Sequence, residues 1–85
     1  MNFEFDPVKS RKNKEKHGID FDEAQALWMA VTVEVPLETD GEPRWAIVGK
    51  IESIFWTAII TYRGESIRII SVRRSREEEK AIYER

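Results

Sequence analysis

The sequence predicts an α+β fold: an antiparallel sheet of about four strands with two N-terminal helices and a C-terminal helix. Three observations predict it. Helix start and stop signals crowd the first third of the chain, β-branched and aromatic runs fill residues 31–72, and the connections between those runs are short. Short connections make sequence neighbours antiparallel, and a twisted sheet needs helices to cover it, here expected on one face. Eighty-five residues suffice for one such domain, residues 1–85, and leave no room for a second.

Phe3 and Phe5 alternate with Glu4, a short strand or extended arm with one apolar side. Asp6-Pro7 then opens a helix, because Asp caps well and Pro is pre-organised for the first helical position. That helix runs to His17 and stops at Gly18. It is polar nearly all round, the mark of a solvated element unless its five Lys/Arg side chains meet phosphates. Asp20 with Glu23 forms a capping box for a second helix that buries Phe21, Ala24, Leu27 and Trp28. Val31 to Val35 alternates as a strand ended by Pro36, and residues 37–43 form an acidic loop. Arg44–Ile51 and Ile54–Tyr62 follow as strands joined tightly at Glu52-Ser53. Gly64 then turns the chain into Ser66–Arg76. Ser75 with Glu78 is expected to cap a final helix through Tyr83.

The formal net charge is only -2, but charge is segregated along the chain. Residues 1–17 carry five basic against three acidic side chains, and residues 18–42 carry seven acidic and no basic ones. Residues 43–76 reverse this with seven basic against two acidic. Such blocks imply an electropositive surface beside an acidic one. The chain has no cysteine, which removes disulfides, thiolate metal sites and thiol nucleophiles and fits a reducing cytoplasm. No uncharged stretch exceeds the length of Ser53 to Tyr62, which is too short for a membrane helix. With one histidine there is no triad and no zinc spacing. No acidic loop suits calcium and no glycine-rich loop suits a nucleotide, so no metal or cofactor is implied.

What remains is anion recognition. Ile67, Ile69, Ile70 and Val72 make a strand covered on both sides, and Arg68, Arg73, Arg74 and Arg76 gather four guanidiniums within nine residues. These arginines either hold phosphates or pair with Glu77, Glu78 and Glu79. Strict alternation would place Arg68 and Arg74 on one face and Arg73 on the other, unless a bulge intervenes. Arg73 would then be free to pair with Glu79. His17, in the last turn of its helix, is explained equally by the helix dipole and by proton transfer.

Phe5-Asp6-Pro7, Lys9, Asn13, Lys16-His17-Gly18, Phe21, Ala24, Arg44 and Gly49 resemble the BrnT toxins of bacterial type II toxin–antitoxin systems. So does the run Arg68-Ile69-Ile70-Ser71-Val72-Arg73-Arg74, with Glu79 and Tyr83. The resemblance implies a RelE-like fold, RNA cleavage that arrests growth, and a hetero-oligomer with a neutralising BrnA-like antitoxin. In metal-free RNA cleavage Arg68, Arg73 and Arg74 would stabilise the transition state while Lys9, Lys16 and Arg76 bind the backbone. Arginine cannot be the base, so the proton acceptor would come from His17, Lys9, Lys16, Glu79 or Tyr83. His17 is favoured by its place in the motif. The alternative is a non-catalytic subunit that binds nucleic acid or protein.

Overall fold

The computed structural model describes residues 1–85. In chain order the elements are β1 (Asn2–Glu4), α1 (Pro7–His17), a 3₁₀ segment (Glu23–Met29), β2 (Val33–Leu37), β3 (Arg44–Ile51), β4 (Ile54–Arg63), β5 (Ser66–Arg74) and α2 (Glu77–Tyr83). The sheet has five strands in the order β1-β5-β4-β3-β2. The fifth strand is the Phe3 segment, which pairs in parallel with β5 from Asn2–Ser66 to Glu4–Arg68, so the sheet is mixed and not wholly antiparallel. A parallel partner needs a crossover, and the whole of α1 through β4 supplies it.

The core lies on one face of this sheet. Ile47, Trp56, Ala58, Ile60, Ile67, Ile69 and Val72 meet Ile19, Phe21, Ala24 and Leu27 from the α1–3₁₀ side. Phe3 against Trp28 and Phe5 against Phe21 close its margin edge-to-face, at 5.0 and 5.6 Å between ring centroids. The expected second helix is 3₁₀ and not α. Its capping box forms as the sequence indicates: Glu23 N–H donates to Asp20 at 2.7 Å and Asp20 N–H donates to Glu23 at 3.0 Å. But Phe21, Ala24 and Leu27 recur every three residues and are all essentially buried, which matches 3.0 residues per turn better than 3.6. Gly49 lets this segment settle on β3, since a Cβ there would stand 3.1 Å from Leu27 Cδ2 and 3.3 Å from Thr32 Cγ2.

Three further boundaries differ from the sequence expectation. Pro36 lies inside β2, opposite Trp45, and is tolerated because β2 is an edge strand. The C-terminal helix begins one residue later than the Ser75–Glu78 pair suggests. Ser75 still donates its N–H to Phe55 on β4, and its hydroxyl is buried against Thr57 at 2.8 Å, so Arg76 becomes the N-cap and its N–H donates to Glu79 at 2.7 Å. Finally, α2 lies on the opposite face of the sheet from α1, with Tyr83 edge-on to Phe55 at 5.4 Å and Glu79 bonded to Thr57. The helices therefore cover both faces.

Helix α1 has almost no apolar face, yet it is fixed. Ser10 accepts the Phe21 N–H at 2.9 Å, and Asn13 makes three bonds from a buried position. Its amide nitrogen donates to the Ile19 and Val72 carbonyls at 2.8 and 2.9 Å, and its oxygen accepts the Val72 N–H at 3.2 Å. Pairing of β1 with β5 ends at Arg68, and beyond it the Asn13 amide takes the place of a neighbouring peptide unit. Replacing Asn13 with Leu leaves three buried backbone groups unpartnered, and Asn13→Asp removes both donors. Each is expected to cost about 3 kcal/mol, read as a lowered urea midpoint.

Candidate active site

The arginine-bearing strand carries an irregularity that decides where its side chains go. Ser71 pairs with Ile59 but Ile69 pairs with Ile60, leaving Ile70 as an extra residue in β5. This bulge reverses the alternation, so Ile67, Ile69 and Val72 all reach the core despite their mixed parity. Arg68, opposite Thr61, and Arg73, opposite Thr57, consequently share the face that carries α2, while Arg74, opposite Trp56, lies on the α1 face. The pairing of Arg68 with Arg74 expected from strict alternation is thus replaced by Arg68 with Arg73.

The four arginines stand in different states. Arg73 is held by Glu79 through two parallel bonds, Nη1–Oε1 at 2.7 Å and Nη2–Oε2 at 2.9 Å. Thr57 and the Arg76 N–H also donate to the same carboxylate. Arg68 has only a loose contact with Glu4 at 3.7 Å, across the β1–β5 pair. Arg74 is exposed, with its guanidinium 5.6 Å from the centre of the Trp56 ring. Arg76 is exposed at the start of α2.

Four further cationic or titratable residues, Lys9, Lys12, Lys16 and His17, meet beside the bulge of β5. Lys9, Lys12, Lys16 and His17 line one wall of an open cleft of about 240 Å³, Asn13 its floor, and Ile70 and Ser71 of the bulge the other wall. Residues 9, 12 and 16 project from one side of α1 because their spacing follows the helical repeat. Asn13 presses the helix onto β5, and the bulge turns Ile70 and Ser71 towards it. His17 is half-buried in the last turn, ahead of Gly18, whose φ of 83° and N–H bond to Lys14 end the helix. The sequence-predicted Lys9, Lys16 and His17 are thus brought together, whereas Arg68, Arg73, Arg74 and Arg76 do not line this cleft. Lys12, and Ser71 of the family-like run, join the site without having been assigned a role. The spacing of Lys12 from Lys9 and Lys16 signalled the first, and no local pattern signalled the second. Lys14 points elsewhere, bonding Glu23 at 2.8 and 3.0 Å, a pairing that raises its pKa and lowers that of Glu23.

A mixed sheet with a cationic cleft along its edge defines a small protein equipped to grip a phosphate backbone. Residues 5–79 match the family described as the ribonuclease toxin, BrnT, of type II toxin-antitoxin systems. The chain belongs to that family: it is a ribonuclease toxin whose substrate is RNA and whose partner is an antitoxin. No curated protein matches the chain. None of its helices is long and apolar enough to cross a membrane.

Glu79 provides a pH test of the Arg73 network. Burial pushes its carboxyl pKa up, but the bonds from Arg73, the Arg76 N–H and Thr57 outweigh this and hold it at about 2. An acid depressed in the folded state stabilises that state above its unfolded pKa, near 4.5, and the contribution is lost as pH falls towards 2. Thermal melting of Glu79→Gln should therefore lie well below wild type at pH 7, with the gap closing between pH 4.5 and 2.

Proposed function

We propose that the chain is an endoribonuclease that cuts single-stranded RNA without a metal, with the scissile phosphate in the α1–β5 cleft. The observation that carries this reading is the convergence of Lys9, Lys12, Lys16 and His17 on one wall of that cleft, against the Ile70–Ser71 bulge. Three ammoniums can neutralise the charge that grows on the non-bridging oxygens, and a half-buried imidazole stands among them. The 2′-hydroxyl attacks the neighbouring phosphorus in line, His17 accepts its proton, and the 5′-oxygen departs with a proton from a cleft ammonium. The products are a 2′,3′-cyclic phosphate and a 5′-hydroxyl.

In this reading Arg68, loosely held and half-exposed, extends the cationic track from the cleft along β5. Arg74, exposed at the end of β5, and Arg76, exposed at the start of α2, contact flanking phosphates. Arg73 serves as a structural residue, since its guanidinium is already matched by Glu79 and its role is to anchor α2. Residues 1–85 act as one RelE-like toxin domain. The antitoxin is BrnA-like and forms a hetero-oligomer in which the cleft is covered.

Incubation of single-stranded RNA with the protein in excess chelator should yield 2′,3′-cyclic phosphate ends, and His17→Ala should slow this about 10²-fold or more. Cleavage by His17→Ala at the wild-type rate would overturn its assignment. Lys12→Ala should weaken RNA binding and reduce the slope of log affinity against log salt by about 0.7, the share of one phosphate contact on a single strand.

A further inference from the structure

A second concavity, on the α1 face of the sheet, has no part in that reaction. It is a recess of about 390 Å³ with an apolar floor of Ile19, Ile51, Ile54 and Trp56, bounded by Gly18 and by Glu52 at the β3–β4 turn. We infer that this recess is a nucleobase subsite of the RNA-cleaving cleft and that it selects guanine, an inference that rests on the ribonuclease reading above.

Position is the first argument. His17 lines the cleft and Gly18, the next residue in the chain, lines the recess, so consecutive residues contribute to the two concavities. The space beside Gly18 is open, since a Cβ built there would meet no atom within 4 Å. A nucleotide whose phosphate sits among the lysines can therefore turn its base over Gly18. Arg74 stands on the same sheet face with its guanidinium over Trp56, where it can stack on a base or take the next phosphate.

Chemistry supplies the choice of base. The floor offers branched aliphatic groups and the small exposed part of Trp56, whose ring lies under the Arg74 guanidinium; such apolar contact suits any base, so selection falls to the polar rim. That rim holds two carboxylates. Glu23 has both oxygens on Lys14, whereas Glu52 is exposed on a two-residue turn that holds Glu52 and Ser53 at φ of 50° and 71°. A carboxylate only accepts hydrogen bonds, and it is best matched by two adjacent donors. Guanine presents N1–H and N2–H side by side on its Watson–Crick edge. Adenine and cytosine set one amino group beside a lone pair, and uracil flanks one N–H with carbonyls.

The test is binding of the four nucleoside 5′-monophosphates to the full chain, followed by NMR. Guanosine monophosphate should move the Trp56 indole and Ile54 amide signals and bind about tenfold more tightly than the other three. Glu52→Gln, a change on an exposed turn, should erase that preference. Equal binding of all four, signals that move only around Lys9 to His17, or a preference that survives Glu52→Gln would each overturn the inference. Because no cleavage is read, a protein that prefers guanosine monophosphate but cuts no RNA refutes the catalytic reading alone. One that cuts RNA but binds the four nucleotides alike refutes the subsite alone.

Discussion

The three hydrogen bonds of the Asn13 side chain are the constraint on which the rest of the molecule depends. Helix α1 has little apolar surface to bury, so the hydrophobic effect that attaches most surface helices to their sheets contributes little here. Asn13 and Ser10 supply the attachment instead, by answering backbone groups that would otherwise be buried unpaired. This leaves the lysines of α1 unneeded for folding. A helix docked through a leucine stripe would have to turn that stripe to the strand. One docked through an amide and a hydroxyl keeps its cations at the seam, within reach of whatever enters the cleft.

Sheet order separates the two charge blocks in space. Residues 1–17 lie by β5, whereas Glu34 lies on β2, three strands away, with Glu38 and Asp40 in the loop that follows it. At about 4.8 Å per strand that is about 14 Å, beyond the Debye length of about 10 Å at 0.1 M salt. The part of the acidic block on β2 therefore does little to weaken the cationic edge, whereas Asp20 and Asp22 stand beside Arg11 and Lys14 of α1. The nearer carboxylate of Glu23 is matched by Lys14 at 2.8 Å. A chain with a net charge of -2 can thus present a locally basic surface.

Much of this was legible in the sequence, and the failures have physical causes. Strands β3, β4 and β5, the Asp6 cap, the Gly18 stop and the Asp20–Glu23 box follow from local rules, and local contacts realise them. The parallel pairing of β1 was not legible, because it joins residues more than sixty apart and leaves no period in the chain. Nor was the bulge at Ile70, since every residue from Ile69 to Val72 is compatible with regular strand. That one extra residue changed which arginines share a face. The Arg73–Glu79 pair was foreseen only as an alternative, and Asn13 stood among the family-like positions without a reason until its partners across the fold were known. Most side chains with a local role were read correctly, the Ser75–Glu78 cap being displaced by one residue because Ser75 stays bonded to β4. Those whose function is to join distant segments were not.

The cleft takes one wall from residues 9–17 and the other from residues 70–71. A polypeptide interrupted anywhere before residue 70 has the cations but nothing to set them against, and its α1 has no Val72 to hold it. Assembly of the cleft therefore requires the strand that follows Gly64 to be in place against the helix that ends at Gly18.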